Sequence, residues 1–231
     1  MSDDLPIAEK RRLILERMAE AAKRASVPAS AGMSGVTLVA VSKVQPDERI
    51  KDMLAAGQKV FGENRVQESQ RRWGETFAAH RGDIELRLIG PLQTNKAEDA
   101  VALFDVIETV DREKLAKALV KAAEKVGRMP RLLVQVNTGE EEQKSGIVPP
   151  DVGGFLALLK DKYDITPEGL MCIPPQGEAA SPHFWLLKKL ADKYGLKTVS
   201  MGMSGDYETA IELGATHVRV GSALFGKRDY S

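Results

Sequence analysis

Apolar residues come in short bursts along the chain, and the period within each burst separates helices from strands. Between residues 4 and 25, Leu5, Ile7, Leu13, Leu15, Met18 and Ala22 recur at near-helical spacing. Lys10, Arg11, Arg12, Glu16, Arg17, Lys23 and Arg24 fill much of the other face. Residues 26–35, rich in small side chains and carrying Pro28, read as a flexible connection. Beyond it the pattern alternates. Runs with strand character fall at 37–42, 59–61, 85–89, 106–109, 131–136, 165–171, 197–200 and 217–220. Helical patterns lie between them at 46–56, 63–79, 94–103, 112–126, 152–162, 181–194 and 204–213. Strands alternating with helices predict βα units paired in parallel.

Two closures suit that rhythm, a (β/α)8 barrel and an open doubly wound sheet. The open sheet usually places a Gly-rich loop after its first strand, and Ser42-Lys43-Val44-Gln45-Pro46 has none. Eight strands match barrel closure, so the chain is expected to be one (β/α)8 TIM barrel spanning residues 1–231. Residues 1–35 then form an extra N-terminal helix and its connection, and this helix either plugs the barrel bottom or packs elsewhere. Local signals agree. Asp111 is placed to cap the helix at 112–126, whose stripe is Leu115, Leu119, Ala122, Ala123 and Val126. Gly127 follows as its C-terminal stop, Pro130 prevents continuation, and Gly57, Gly195 and Gly214 repeat the stop signal elsewhere.

Composition narrows the function classes. Lys plus Arg and Asp plus Glu both total 33, so no global basic field attracts nucleic acid or an acidic membrane. Apolar residues at 43% provide a substantial core, yet the longest apolar runs fall short of a membrane span. A lone cysteine, Cys172, forms no internal disulfide, and Asp3, Asp4 and Glu9 at the start do not resemble a signal peptide. A soluble cytoplasmic protein is expected.

The candidate chemistry gathers at strand ends. Lys43 closes the first predicted strand just before a turn, at the rim where barrels build their sites. Burial there would disfavour its charged form and leave an amine able to attack a carbonyl. Ser200-Met201-Gly202-Met203-Ser204-Gly205-Asp206, read as the turn after strand seven, offers backbone N–H groups and hydroxyls of the kind that attract phosphate. Arg219-Val220-Gly221-Ser222 closes strand eight, and residues 223–225 can open a short extra helix. Barrels frequently bind phosphate with these two loops and such a helix. An amine nucleophile beside a phosphate pocket suggests a ligand that is both aldehyde and phosphate ester.

Other motifs carry less. Glu63 or Asn64 can cap the second helix, and Asn64 can also orient a ligand at the rim, while Arg65, Gln67 and Glu68 read as a solvated face. Thr94 or Asn95 can cap the next helix. The acidic run at residues 140–142 lacks the spacing of a metal cage, and His80, His183 and His217 lie in distant elements. No metal site and no catalytic residue are assigned.

At these motifs the sequence resembles the pyridoxal-phosphate homeostasis proteins, which share the barrel of the N-terminal domain of alanine racemase. The resemblance rests on Ala40-Val41-Ser42-Lys43, on residues 61–68 (Phe-Gly-Glu-Asn-Arg-Val-Gln-Glu) and on residues 89–96 (Ile-Gly-Pro-Leu-Gln-Thr-Asn-Lys). It continues through Lys144-Ser145-Gly146-Ile147, residues 169–174, residues 200–204 and residues 218–226, in family order. It implies pyridoxal 5′-phosphate (PLP) as cofactor, held by Lys43 as a Schiff base. Ser200, Gly221 and Ser222 would hold the phosphate with the turn at Ser204, Arg219 would lie near the pyridine nitrogen or phosphate, and Asn64 would stand beside the ring. Arg87 departs from the pattern, standing where a histidine is expected.

The resemblance points to a PLP carrier or regulator in vitamin B6 homeostasis with little or no catalysis, and to PLP-requiring apo-enzymes as recipients. A monomer or weak dimer is expected, without nucleic-acid or membrane partners. The alternative is an amino-acid racemase of the alanine racemase type. That enzyme takes a second acid/base from a tyrosine of an extra β domain, for which a chain ending at Ser231 leaves no room.

Overall fold

The computed structural model describes residues 5–25 and 35–226. The connection expected at 26–35 falls, Gly35 apart, outside them. Eight strands form the centre: β1 (Thr37–Val41), β2 (Val60–Glu63), β3 (Glu85–Leu88), β4 (Val106–Val110), β5 (Arg131–Val136), β6 (Gly169–Cys172), β7 (Thr198–Met203) and β8 (His217–Val220). Each pairs in parallel with the next, and β1 pairs with β8 from Thr37↔His217 to Ala40↔Val220, which closes the barrel.

The helices wrap the outside: α1 (Ile7–Arg24), α2 (Asp47–Ala55), α3 (Val66–Ser69), α4 (Ala97–Leu103), α5 (Glu113–Val126), α6 (Val152–Tyr163), α7 (Ala180–Lys193), α8 (Tyr207–Glu212) and the short α9 (Ser222–Phe225). The N-terminal helix does not plug the barrel. α1 packs against α2, α8 and α9, and so fills the gap that a strand-first repeat leaves in the outer ring. Its stripe of Ile14, Met18 and Ala21 is buried, while Arg17 and Arg24 pair with Glu208 and Glu212 of α8. Among the described residues no helix is long and apolar enough to cross a membrane.

Two layers of packing result. The large core fills the space between strands and helices, and a small separate cluster of Val106, Leu133 and Met171 lies within the barrel. The remaining inward positions of β3, β4, β7 and β8 are polar. Arg87, Glu108, Ser200, His217 and Arg219 are all buried there.

Several local expectations change. β6 starts at Gly169 rather than 165, because Pro167 has no N–H for a ladder and the Ile165 N–H turns back to the Leu159 carbonyl of α6. The expected helix at 63–79 is instead α3, a π-helical turn at Gln70–Thr76 and a 3-10 turn at Ala78–Asp83. Asp111 does not cap α5. The N-cap position belongs to Arg112, whose guanidinium pairs with Asp111. Glu63, Asn64, Thr94 and Asn95 make no side-chain cap either. Gly127 does end α5 in the left-handed region, with φ of 78° and its N–H on the Ala123 carbonyl.

Candidate functional site

β1 ends at Val41, and Ser42, Lys43 and Val44 carry the chain over the C-terminal rim. There, one cleft of 270 Å³ is lined by Lys43, Asn64, Ser204, Arg219, Gly221 and Ser222. Val41, Ile89, Ile173, Met203 and Gly205 complete its wall. The structure therefore brings together six residues singled out in the sequence, from β1, β2, β7, β8 and the turns that follow them. Ser200 is the exception. β7 runs three residues past the expected end, so Ser200 lies inside the barrel and not in the turn. Its hydroxyl is fully buried and donates to Glu108 Oε2 at 2.6 Å.

The turns after β7 and β8 meet at Ser204. Its hydroxyl oxygen accepts the Gly221 N–H at 3.2 Å and, more weakly, the Ala223 N–H at 3.5 Å. Backbone donors thus converge on one oxygen at the start of α9, a geometry that suits a phosphate oxygen equally well. Asp206 tightens the first turn by accepting the Met203 N–H at 2.6 Å. Across the cleft, the buried Asn64 Oδ1 has no hydrogen-bond partner, and a buried acceptor in that state is an opening for a ligand donor. Gly90 lets the loop after β3 close on Asn64, since a Cβ at 90 would sit 2.3 Å from the Asn64 carbonyl oxygen.

Arg219 reaches the cleft from inside the barrel, and a chain of polar contacts holds it. Its Nη1 donates to Ser200 Oγ at 2.7 Å and its Nη2 to the Cys172 carbonyl at 2.7 Å. Ser200 connects it to Glu108, whose other oxygen receives Arg87 Nε at 2.5 Å. Arg87 continues the chain to Glu85. Burial works to raise the Glu108 carboxyl, but Arg87, Arg219 and the Ser200 hydroxyl together outweigh it and hold the group below the usual carboxylate range. Arg87 is thus the cationic partner of a buried glutamate. Nearby, His217 is pushed down to about 4 by burial and then by the Arg87 charge, so it stays neutral.

A second buried network lies behind Lys43. Glu63 Oε1 accepts from the Ser42 hydroxyl at 2.7 Å, Arg72 Nη1 at 2.8 Å and Trp73 Nε1 at 3.1 Å. Glu63 Oε2 has no partner, and burial pushes this carboxyl above its ordinary range. Glu68, expected on a solvated face, instead accepts the Val44 N–H at 2.9 Å.

Glu108 and Arg72 carry no motif that marks them in the sequence. One signal was available for Glu108: in a predicted strand it shares the inward parity of Val106, and its neighbours across the barrel include two strand arginines. The remaining candidates stay out of the site. Cys172 is a buried core residue whose thiol burial pushes up to about 12. His183 contacts the Thr138 carbonyl and Glu178. Among the described residues no group of three His, Cys, Asp or Glu is placed to hold a metal ion.

A closed barrel of eight parallel strands with Lys43, Ser204, Arg219 and Gly221 lining one rim cleft defines the class, an α/β barrel with a polar cleft at its C-terminal rim. Comparisons with known proteins carry this further. Residues 14–229 match the family model of the alanine racemase N-terminal domain. The pyridoxal phosphate homeostasis protein of Vibrio cholerae serotype O1 is 44% identical over 210 residues, covering 86% of this chain and 88% of that protein. PipY of Synechococcus elongatus PCC7942 is 35% identical, with 95% of this chain and 100% of that chain covered. Its TM-score is 0.81 without PLP and 0.77 with PLP bound. Alanine racemase of Bartonella henselae, at 14% identity and TM-score 0.70, shares the fold over 96% of this chain and 59% of its own. The chain belongs to the alanine racemase N-terminal domain family, among the pyridoxal phosphate homeostasis proteins.

Proposed function

We propose that this protein binds PLP in the rim cleft and serves vitamin B6 homeostasis as a cytoplasmic carrier or regulator. When bound, the cofactor would supply an aldehyde open to a primary amine, together with a phosphate monoester. Lys43 is the amine that would hold the aldehyde as a Schiff base. The N–H groups of Gly221 and Ala223, with the hydroxyls of Ser204 and Ser222, would hold the phosphate. Asn64, through its unpartnered Oδ1, would receive a donor of the ring or its substituents, and Arg219 would face the ring or the phosphate. The observation that carries the reading is the cleft itself, which Lys43 shares with the two anion-type turns and Arg219.

Binding without turnover is the favoured mode. Reversing the configuration of an amino acid needs acid/base groups on both faces of the substrate. Among the described residues lining the cleft there is no Tyr, His, Asp or Glu to oppose Lys43. PLP-requiring apo-enzymes are then the natural recipients. The second reading, a racemase, draws its support from the family model.

Titration of the purified protein with PLP, followed by absorbance, tests the proposal. An imine band should grow to one equivalent in the wild type and be absent from Lys43→Ala. A Lys43→Ala protein that keeps the band would reject the assignment, and sustained interconversion of D- and L-alanine by the loaded wild type would favour the racemase.

A further inference from the structure

The backbone around Lys43 is held from behind by side chains that the cofactor reading does not use. Arg72 is 2% exposed and sits in the π-helical turn at Gln70–Thr76. Its Nη1 donates to the Ser42 carbonyl at 2.9 Å, and its Nη2 to the Gln45 carbonyl at 2.8 Å. Glu68 Oε1 takes the N–H of Val44, which lies between these two carbonyls in the chain, and is 3.7 Å from Arg72 Nη1. Three backbone groups within four residues, on both sides of Lys43, are therefore fixed by one guanidinium and one carboxylate.

The conformation so held is not one the chain adopts unaided. Val44 has φ of 58°, a left-handed conformation that is a genuine outlier for a β-branched residue, and its side chain is 50% exposed. Packing of that side chain does not compensate the strain. The Glu68 bond and the two Arg72 bonds do so, beside the turn's own bond from the Gln45 N–H to the Ser42 carbonyl at 3.2 Å, and strain of this kind persists only where surroundings over-determine it. The π-turn has the same effect on the other side: its extra residue per turn turns Arg72 and Trp73 into the wall, as π-bulges at functional sites often do.

We propose that Arg72 and Glu68 are positioning residues for Lys43, fixing the turn that sets it in the cleft it shares with Ser204 and Gly221. The inference rests on the PLP reading of the cleft. It names residues outside the lining, and it separates two properties: aldehyde capture at Lys43 depends on the clamp, while anion binding at Ser204 and Gly221 does not.

The test uses the full-length protein and two readouts. One is the equilibrium constant for imine formation with PLP, read from absorbance. The other is the inhibition constant of inorganic phosphate as a competitor of PLP. Glu68→Ala removes the acceptor for Val44, and loss of one such hydrogen bond should lower imine formation roughly five- to tenfold. Glu68→Gln keeps an acceptor oxygen and should restore it to within about twofold. Arg72→Lys cannot span both carbonyls in the same geometry and should lose at least as much as Glu68→Ala. In all three the phosphate inhibition constant should match wild type. Imine formation in Glu68→Ala equal to wild type would overturn the clamp, as would an equal loss in Glu68→Gln. Should Arg72→Lys fail to fold, the Glu68 pair decides alone. A wild type that gives no imine band would instead defeat the cofactor reading, a failure visible before any clamp variant is measured.

Discussion

Glu108 and Glu63 are both fully buried glutamates hydrogen-bonded to an arginine, yet their carboxyls shift in opposite directions. Glu108 lies between two guanidiniums, with Arg87 on one oxygen and Ser200, backed by Arg219, on the other. Glu63 has three donors crowded on Oε1, an unpartnered Oε2, and an arginine that also faces Glu68 and Asp47 at 3.7 Å. Burial penalises the charge in both. Only where two cations and two satisfied oxygens answer it does the carboxyl fall below its usual range. One network is an ionic core of the barrel ending at Arg219 in the cleft. The other is a wall of hydrogen bonds behind Lys43.

Glutamine at either position neutralises the carboxylate without changing its shape. Glu108→Gln leaves Arg87 with Glu85 alone and removes the buried carboxylate that backs Arg219 through Ser200, and should cost about 3–5 kcal/mol in urea unfolding. A loss under about 1 kcal/mol would mean that the barrel interior does not need the charge.

His217 probes the same interior through pH. Its folded pKa of about 4 lies below the unfolded value near 6.5, so the unfolded chain takes up a proton first as pH falls. The stability this neutral histidine contributes is fully present above pH ~6.5 and is lost as pH falls toward ~4, up to about 3 kcal/mol. Subtracting the stability–pH curve of His217→Asn from that of wild type should isolate this slope. Parallel curves over that window would refute it.

The interior also explains what the sequence did and did not reveal. The order of strands and helices was legible because apolar period alone distinguishes them, and β5 and β8 fall where the pattern sets them. Boundaries went astray where backbone chemistry overrode propensity. Ile165 and Thr166 look like strand, but Pro167 denies the ladder an N–H, and β7 continues through Gly202 at φ of 89° where small residues suggested a turn. Lys43, Ser204, Arg219, Gly221 and Ser222 were legible because strand ends at one rim converge whatever their separation in sequence. Arg72 was not, because an i+4 period has no place for the extra residue of a π-turn. Glu108 was hidden by its function, since its partners Arg87, Ser200 and Arg219 come from three other strands.

Ser200 offers a finer cut. Ser200→Ala removes the hydroxyl between Glu108 and Arg219 and leaves two buried polar atoms unmet, a loss of about 1–3 kcal/mol. PLP affinity should weaken with it, because Arg219 loses one of its two anchors. Unchanged affinity in a destabilised protein would place the serine in folding alone. Glu63→Gln should have the smallest effect, about 1 kcal/mol or less, since burial opposes the charge there, Oε2 is unpartnered, and an amide oxygen still accepts from Arg72. A cost equal to that of Glu108→Gln would erase the distinction between the two networks.

One amine, that of Lys43 just past β1, is proposed to capture the cofactor. Borohydride reduction of the PLP-loaded protein, followed by proteolysis and mass mapping, addresses it most directly. The account predicts one pyridoxyl adduct per chain, on the peptide containing Lys43. A stoichiometric adduct on any other lysine, with Lys43 unmodified, would contradict it.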